Sequence, residues 1–256
     1  MTAPKVLIPV ALGTNRDGDL ADAFEAAGAV ATRLPLQALR QGEAKLADFQ
    51  MLAIPGGFSY GDALGAGRLF GLDLVGWFGD QLRHANDREM PMLGVCNGFQ
   101  AIVSAGLLPG AHDNRGVLTD NASGRFECRW VTLQPEPGNN SLWLSNLAEP
   151  IRCPVAHAEG RFVSEDLAAI EARNGIAFRY CDPATGTPAN GTYPANPNGS
   201  AGDVAGITDA TGRILGLMPH PENHIWPRQD ILRGRQSGGQ ALPMFKAAVD
   251  AVRSSP

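Results

Sequence analysis

The sequence predicts an α/β fold with a mostly parallel sheet, flanking helices and antiparallel additions, and three observations support this. Short apolar runs alternate with amphipathic helical segments through the first half, which is the pattern of a parallel sheet. The second half carries shorter strand-like runs joined by turn residues. A length of 256 residues with 44% hydrophobic content suffices for one large core. No repeat or low-complexity linker divides the chain, so residues 1–256 are expected to form a single domain.

The first half of the chain is expected to supply the parallel part of the sheet. Its predicted elements are strands at residues 6–12, 29–34, 51–55 and 91–95, and helices at residues 20–27, 69–86 and 97–105. Gly28 ends the first helix, because glycine commonly follows the last helical turn. The second helix is expected to have an apolar side that packs on the sheet, formed by Leu72, Val75, Trp77, Phe78 and Leu82.

The second half is expected to add antiparallel strands. Its predicted elements are strands at residues 125–134, 141–147, 151–163, 176–182, 204–207 and 213–218, and helices at residues 165–173 and 244–252. The segment Asp209-Ala210-Thr211-Gly212 predicts a hairpin turn between the last two strands. Residues 183–202 are rich in Pro, Gly, Asn and Ser, which predicts a long loop.

Composition excludes several classes of protein. A net charge of −5 and a pI near 5.5 argue against nucleic acid as a main partner. No segment approaches the roughly eighteen apolar residues of a membrane span, and the N-terminal segment lacks the features of a signal peptide. The four cysteines contain no Cys-x-x-Cys pair, so neither a metal site nor a disulfide framework is indicated. A cytoplasmic chain without a membrane partner is expected.

One cysteine stands at a predicted junction between a buried strand and a helix. Cys96 follows the apolar run 91–95 and precedes the helical segment 97–105. Gly94 and Gly98 permit a sharp turn and a close approach of strand and helix. The thiol then projects at a helix N-terminus, where the helix dipole favours the thiolate. This context predicts that Cys96 is a nucleophile rather than a small core residue.

The other cysteines and two of the histidines lack such a context. Cys128, Cys153 and Cys181 lie in strand-like runs without a glycine turn, and we interpret all three as structural. His84 and His112 lie among helix-end and loop residues and are expected to face solvent.

A cysteine nucleophile needs a base and a third group that orients the base. Two histidines stand two residues before a glutamate, in His157-Ala158-Glu159 and in His220-Pro221-Glu222. A strand period of two would point each histidine and its glutamate to one side. The second pair follows the apolar strand 213–218, at the kind of strand end where open α/β sheets place active sites. We therefore predict that His220 is the base and that Glu222 orients it.

Acyl chemistry also needs donors for the oxyanion of a tetrahedral intermediate. The backbone amide of Asn97 follows the nucleophile at the helix start and is one natural donor. The loop Pro55-Gly56-Gly57 follows the strand at residues 51–55, and its glycines can turn N–H groups into a site. A plain loop is the alternative interpretation of this segment.

Together, Pro55-Gly56-Gly57, Gly94-x-Cys96-x-Gly98-x-Gln100 and His220-Pro221-Glu222 resemble the class I glutamine amidotransferase family in order and spacing. The longer strings at residues 55–62, 94–100, 156–161, 196–200 and 218–222 resemble one branch of that family, the glutaminase subunits of phosphoribosylformylglycinamidine synthases. The resemblance implies a flavodoxin-like amidotransferase fold in a single domain.

The resemblance also implies roles for particular residues. It implies a triad of Cys96, His220 and Glu222, with oxyanion amides on Gly57 and Asn97. The candidates for substrate binding are Gly56, Phe58, Gln100, His157 and Glu159.

The implied activity is hydrolysis of glutamine through a cysteine thioester. Ammonia would pass to a large synthase subunit that converts formylglycinamide ribonucleotide to formylglycinamidine ribonucleotide in purine biosynthesis. ATP and Mg²⁺ are expected on that partner and no cofactor on this chain, which has no Gly-x-x-x-x-Gly-Lys-Ser/Thr loop. A small accessory subunit is also expected.

Two alternatives stay open. A free-standing γ-glutamyl hydrolase or cysteine peptidase could use the same triad on the same fold. A non-catalytic relative could use Cys96 as a redox sensor, although a sensor needs no oriented base.

One stretch departs from the family pattern. Asn223 stands where arginine is common after His-Pro-Glu, and residues 225–242, with Trp226, Arg228, Arg233 and Arg235, are longer than in compact members. We expect residues 223–242 to form an arm that contacts a partner, with a surface loop as the alternative.

Overall fold

The computed structural model describes residues 2–109, 116–230 and 239–254. Its strands are β1 (Lys5–Val10), β2 (Val30–Pro35), β3 (Met51–Ile54), β4 (Met92–Val95), β5 (Gly116–Thr119), β6 (Glu127–Pro135), β7 (Ile151–His157), β8 (Arg161–Ser164), β9 (Ile176–Cys181), β10 (Val204–Thr208) and β11 (Ile214–Leu217). Its α-helices are α1 (Asp17–Ala26), α2 (Leu36–Arg40), α3 (Arg68–Asp87), α4 (Asn97–Ser104), α5 (Leu167–Ala172) and α6 (Leu242–Ser254).

Within the described ranges, nine strands form one sheet in the order β2-β1-β3-β4-β11-β10-β9-β6-β7. The first five strands of this order are mutually parallel. The remaining four add to the sheet in antiparallel fashion. Strands β5 and β8 pair separately as a small antiparallel ribbon. The predicted α/β class, a parallel sheet with antiparallel additions, is confirmed.

Helices cover the sheet in two groups. α1 contacts α6, and Phe24 packs edge-on against Phe245 with 5.3 Å between ring centroids. α3 contacts α4, which lies against β3 and β4. Phe78 and Leu82 of α3 are buried as expected, but Leu72 and Val75 are exposed, so the expected apolar side was wrong at these two positions. In the strand order, the connection from β1 to β2 runs in the opposite direction to the connection from β3 to β4. Because both are right-handed crossovers, their helices lie on opposite faces of the sheet. None of the helices in the described residues is long and apolar enough to span a bilayer.

Some predicted elements are wrong. Residues 141–147 were expected to form a strand, but they contain a short 3₁₀ turn at Leu142–Leu144. Trp143 is buried there and its Nε1 donates to the carbonyl of Arg213 at 2.9 Å, so the apolar run packs on the core as a turn. The single strand expected at residues 151–163 is divided into β7 and β8, and sequence pattern gave no sign of β5 or α2.

The sheet topology brings three predicted segments to one edge. β3, β4 and β11 are parallel neighbours, so their carboxyl ends meet at the same edge of the sheet. β3 leads into the Pro55–Gly57 loop, β4 into Cys96 and β11 into His220. The candidate site therefore lies at the carboxyl edge of the central strands.

Candidate active site

Cys96 forms the tight turn between β4 and α4. It is the N-cap residue of α4, with φ 52° and ψ −108°. A positive φ at a residue with a Cβ costs roughly 1–3 kcal/mol and is kept only where the surroundings enforce it. The amide of Cys96 donates to the carbonyl of Leu217 at 2.8 Å, and Sγ lies 3.7 Å from the carbonyl oxygen of Ala156.

Glycine is needed two residues after Cys96. A Cβ on Gly98 would lie 2.0 Å from the carbonyl oxygen of Ile54, so only glycine lets α4 approach β3 this closely. A Cβ on Gly94 would likewise lie 2.7 Å from the carbonyl oxygen of Gly98. The predicted strand, cysteine and helix arrangement thus has a steric reason in both glycines.

The second predicted pair lies beside the thiol. The amide of His220 donates to the carbonyl of Pro154 on β7 at 2.8 Å. Nδ1 of its ring lies 2.6 Å from Oε1 of Glu222, and the ring borders Gly56 together with Cβ of Cys96. Both His220 and Glu222 are buried. The structure therefore brings together Cys96, His220 and Glu222, the three residues predicted to act as nucleophile, base and orienting carboxylate.

The charge state of His220 follows from its neighbours. Burial lowers the pKa of this imidazole, but the charge of Glu222, the charge of Cys96 and hydrogen bonds to both raise the pKa to about 10. His220 therefore carries a proton at neutral pH. A protonated imidazole beside the thiol is the acid that a departing amine requires.

The Pro55–Gly57 loop lies directly against these groups. A Cβ on Gly56 would be 2.7 Å from Cε1 of His220 and 3.5 Å from Cβ of Cys96. Gly57 has φ 141°, and a Cβ there would lie 2.7 Å from the amide nitrogen of Asn15. Gly56 thus places bare backbone beside the thiol, and Gly57, for which the sequence predicts an oxyanion role, is the next residue of this loop.

The side chain of Asn97 ties the nucleophile helix to the loop after β3. Its Oδ1 accepts from the amide of Ser59 at 3.1 Å. Its Nδ2 donates to Oδ1 of Asp62 and to Oε1 of Gln100, each at 3.1 Å. This buried link leaves the backbone amide of Asn97 at the start of α4, as predicted for a second oxyanion donor.

Gln100 and Glu159 lie together next to this link. Nε2 of Gln100 donates to the carbonyl of Glu159 at 2.5 Å, and Oε2 of Glu159 accepts from the amide of Ala66 at 3.2 Å. Burial and then the charge of Glu159 raise the pKa of Asp62. Two carboxylates, Asp62 and Glu159, therefore lie near each other beside the nucleophile helix.

His157 is held by an asparagine that sequence pattern did not single out. Nδ2 of Asn121 donates to the carbonyls of Arg125 and His157, each at 2.8 Å, which orients the amide. Its Oδ1 accepts from the amide of Gly160 and lies 3.0 Å from Nδ1 of His157. Nδ1 therefore carries the proton, and the buried Nε2 has no hydrogen-bond partner among the described residues.

His157 is a neutral neighbour of the triad. Burial, followed by the charge of His220, lowers the pKa of His157 to about 4. Its imidazole is thus uncharged at neutral pH, in contrast to His220. The two His-x-Glu pairs also differ in geometry, because the described contacts of Glu159 are to Ala66 and Gln100 rather than to His157.

Two further segments flank the site. Phe58 is 44% exposed and stacks on Phe126 with 6.4 Å between centroids. In the string at residues 196–200, Nδ2 of Asn198 donates to the carbonyl of Gly160 at 2.7 Å and to the hydroxyl of Tyr180 at 3.1 Å. That string supports the turn after His157.

The other histidines and cysteines considered in the sequence lie outside this cluster or outside the described residues. His84 is exposed, Cys153 and Cys181 are buried, and Cys128 is exposed. His112 lies outside the described residues, as do residues 231–238 of the stretch predicted to contact a partner. Among the described residues, no group of three or more His, Cys, Asp or Glu could hold a metal ion.

Comparison with known proteins identifies the family of this chain. The model of the CobB/CobQ-like glutamine amidotransferase domain matches residues 3–252. A PurQ subunit of phosphoribosylformylglycinamidine synthase from Treponema denticola is 42% identical, covering 97% of this chain and 99% of the relative. The PurQ subunit from Methanococcus maripaludis is 40% identical, covering 87% of this chain and 83% of the relative.

Solved structures of glutamine amidotransferases share the fold of this chain. A chain of PurLQS from Thermotoga maritima superposes with a TM-score of 0.75 at 29% identity, covering 98% of this chain and 99% of that one. A further glutamine amidotransferase from Thermotoga maritima shares the fold, with a TM-score of 0.58 at 14% identity and full coverage of both chains. On the family match over nearly its whole length and the identity to these relatives, the chain belongs to the CobB/CobQ-like glutamine amidotransferase family.

Proposed function

We propose that this chain is the glutaminase subunit of phosphoribosylformylglycinamidine synthase and supplies ammonia for purine biosynthesis. The observation that carries the proposal is the pair of His220 and Glu222, with 2.6 Å between Nδ1 and Oε1, which lies beside Cys96 in its strained turn. The PurQ relatives, at 35–42% identity, support the pathway. The reaction belongs in the reducing cytoplasm, because it needs Cys96 as a free thiol.

The chemistry follows from the charge states. The thiolate of Cys96 attacks the carboxamide carbon of glutamine, and the carbonyl electrons move to oxygen, which the amides of Gly57 and Asn97 stabilise. The C–N bond breaks as the nitrogen takes the proton of His220, releasing ammonia and a γ-glutamyl thioester. His220 then accepts a proton from water, whose oxygen attacks the thioester carbon, and the C–S bond breaks to release glutamate and regenerate the Cys96 thiolate beside protonated His220.

Glutamine binding is assigned to the groups around the thiol. The α-ammonium group of glutamine calls for negative charge, and the neighbouring carboxylates of Asp62 and Glu159 supply it beside α4. Gly56 lines the thiol side without a Cβ that would block it, and Gln100 holds the carbonyl of Glu159 in place. His157 supports the pocket wall rather than transferring protons.

The partner docks on the apolar surface at the rim of the site. Leu12 is 80% exposed and Phe126 is 50% exposed, next to the half-exposed Phe58. The carbonyl of Leu12 accepts from the amide of Tyr60, so this surface is continuous with the loop after Gly57. The large synthase subunit, with an accessory subunit, covers this rim and binds ATP and Mg²⁺ itself.

The experiment compares two nitrogen sources in the assembled synthase. Cys96→Ala is expected to abolish glutamine-dependent amidation and to leave ammonium-dependent amidation intact, because only ammonia production needs the thiol. Cys128→Ala is the matched control, since Cys128 lies exposed on β6, and it is expected to keep both activities. Equal loss with both nitrogen sources would contradict the assigned role.

The same assay separates the alternatives. Hydrolysis of γ-glutamyl peptides by the chain without a synthase would favour the free-standing hydrolase. Absence of a γ-glutamyl thioester on Cys96 in the wild-type complex, trapped by acid quenching, would favour the redox-sensing relative.

A further inference from the structure

The turn that carries Glu222 is fixed to β7 at two points. On one side, the amide of His220 donates to the carbonyl of Pro154 at 2.8 Å. On the other side, Nδ1 of His224 lies 2.6 Å from the carbonyl oxygen of Arg152. These carbonyls are two residues apart on a strand, so both face the same edge of β7. Glu222 lies midway between the two anchors, in the 3₁₀ turn Pro221–His224.

Glu222 depends on this turn for its position. Its side chain is buried, and its Oε1 is paired with His220 at 2.6 Å. Its Oε2 has no hydrogen-bond partner within the described part of the chain. Because no second side-chain bond aligns the carboxylate, the backbone of the turn decides where it lies. A group that fixes the turn therefore fixes the imidazole of His220.

His224 is suited to that task. It is buried, and its ring meets Trp130 edge-on, with 5.2 Å between centroids and an interplanar angle of 81°. A carbonyl oxygen can only accept, so Nδ1 of His224 carries the proton in this bond. The carbonyl of His224 also accepts from the amide of Ala241 at 2.8 Å, which ties the turn to the start of α6.

The acceptor of this bond is rigid. Nη1 of Arg152 pairs with Oδ1 of Asp230 at 2.7 Å, with both side chains buried. The guanidinium of Arg152 also lies over the ring of Trp130, 5.0 Å from its centroid. Arg152, Trp130 and His224 thus form one packed cluster beneath the turn.

We propose that His224 is a positioning residue of the triad, acting through its Nδ1–H bond to the carbonyl of Arg152. The bond holds the Pro221–His224 turn on β7 and thereby keeps Glu222 in line with His220. The inference rests on the proposed glutaminase function.

The experiment uses the full chain in its synthase complex and compares His224→Asn with His224→Leu. These replacements are nearly equal in size and both lose the ring contact with Trp130. Only asparagine keeps an N–H donor close to the position of Nδ1. We expect Leu to lower kcat for glutamine by about 10- to 100-fold with KM unchanged, because a small misplacement of a catalytic group has effects of this order. We expect Asn to retain most of kcat.

Three further readouts separate positioning from simple loss of stability. The first readout is the rate of Cys96 alkylation as a function of pH, which reports the pKa of His220. His224→Leu should lower this pKa, because it displaces Glu222 and the charge of Glu222 is the first contribution that raises the pKa of His220. Both variants should stay folded at the assay temperature, and the Leu variant should melt at the lower temperature because the carbonyl of Arg152 loses this donor. Ammonium-dependent synthesis should be unchanged in both.

Specific results would overturn the role proposed for His224. An Asn variant as slow as the Leu variant, or a Leu variant with wild-type kcat and pH profile, would overturn the inference. If the Leu variant does not fold, His224→Gln is used in its place. Glutamine carries its N–H group one bond beyond the position of Nδ1 and should not restore the bond to Arg152. A wild-type kcat for His224→Gln would overturn the inference. Failure of the wild-type complex to release glutamate from glutamine would instead reject the proposed function.

Discussion

Glu222 contacts His220 through one oxygen only, with Oε1 at 2.6 Å from Nδ1 and Oε2 without a hydrogen-bond partner in the described residues. A buried carboxylate with one bond relies on the protonated imidazole to balance its charge. The two residues thus stabilise each other's charged forms. The catalytic proton on His220 is a consequence of this pair.

Replacing Glu222 with Gln removes the charge and keeps the shape. We expect the pKa of His220 to fall, because the charge of Glu222 is the first contribution that raises it. We expect kcat for glutamine to fall by roughly a hundredfold or more, since an amide orients the ring but stabilises its cation less. Titrating the His220 ring protons by NMR and measuring steady-state rates check both effects. An unchanged pKa would show that Glu222 does not set the charge of His220.

Two glycines in helices should respond to alanine with opposite signs. Gly98→Ala forces a Cβ to 2.0 Å from the backbone oxygen of Ile54, and we expect a loss of a few kcal/mol, of the order seen for overpacked cores. Gly76 lies inside α3 with open space around its Cβ position. Gly76→Ala should stabilise the fold by roughly 0.5–1 kcal/mol through helix propensity. Thermal unfolding of both variants checks the pair, and a stable Gly98→Ala would contradict the steric account.

The core of the site could be predicted because local sequence dictates it. A buried strand, two glycines and a helix around Cys96 leave few other conformations, and the structure has the expected turn. The order of parallel strands then brings the ends of β3, β4 and β11 together. Local pattern and topology rules were sufficient for this part.

The supporting groups could not be predicted, because long-range contacts determine them. Asn121 reaches His157 across 36 residues and His224 reaches Arg152 across 72 residues, without any signal in the local pattern. The division of the expected strand at residues 151–163 has a similar cause. Between β7 and β8, the carbonyl of Glu159 accepts from Gln100, which is 59 residues away in the sequence.

The neutral state of His157 predicts a dependence of stability on pH. Its pKa is about 4 in the folded chain and near 6.5 when exposed, so between these values the unfolded chain binds the extra proton. Stability should therefore rise with pH through this window, by roughly 3 kcal/mol for this residue. His157→Gln should flatten that rise in urea unfolding at pH 4.5, 5.5 and 6.5. His220 affects stability in a different pH range. Its pKa is raised to about 10, so its contribution to the stability of the fold is lost as pH rises from 6.5 through 10. Equal slopes for wild type and variant would refute this account of His157.

The two histidines should also separate in chemistry. His157→Ala is expected to weaken glutamine binding or assembly, because His157 is a neutral part of the pocket wall. His220→Ala is expected to stop labelling of Cys96 by an electrophilic glutamine analogue, which mass spectrometry of the intact chain measures. If His157→Ala stopped the labelling and His220→Ala did not, the base would be His157.

The oxyanion loop predicts control by the partner. Gly56 places backbone beside Cys96, and the next residue, Gly57, has a φ of 141°, which residues with a side chain rarely adopt. A peptide flip at these glycines would remove one oxyanion donor and slow turnover by roughly a hundredfold or more. The loop continues into the half-exposed Phe58, so a partner bound there can select the competent conformer.

We expect low glutaminase activity for the purified chain and a strong rise when the synthase binds with its nucleotide and substrate. Glutamate release measured with and without the synthase tests this. Full activity of the chain alone, unchanged by the partner, would contradict the control and favour a free-standing hydrolase.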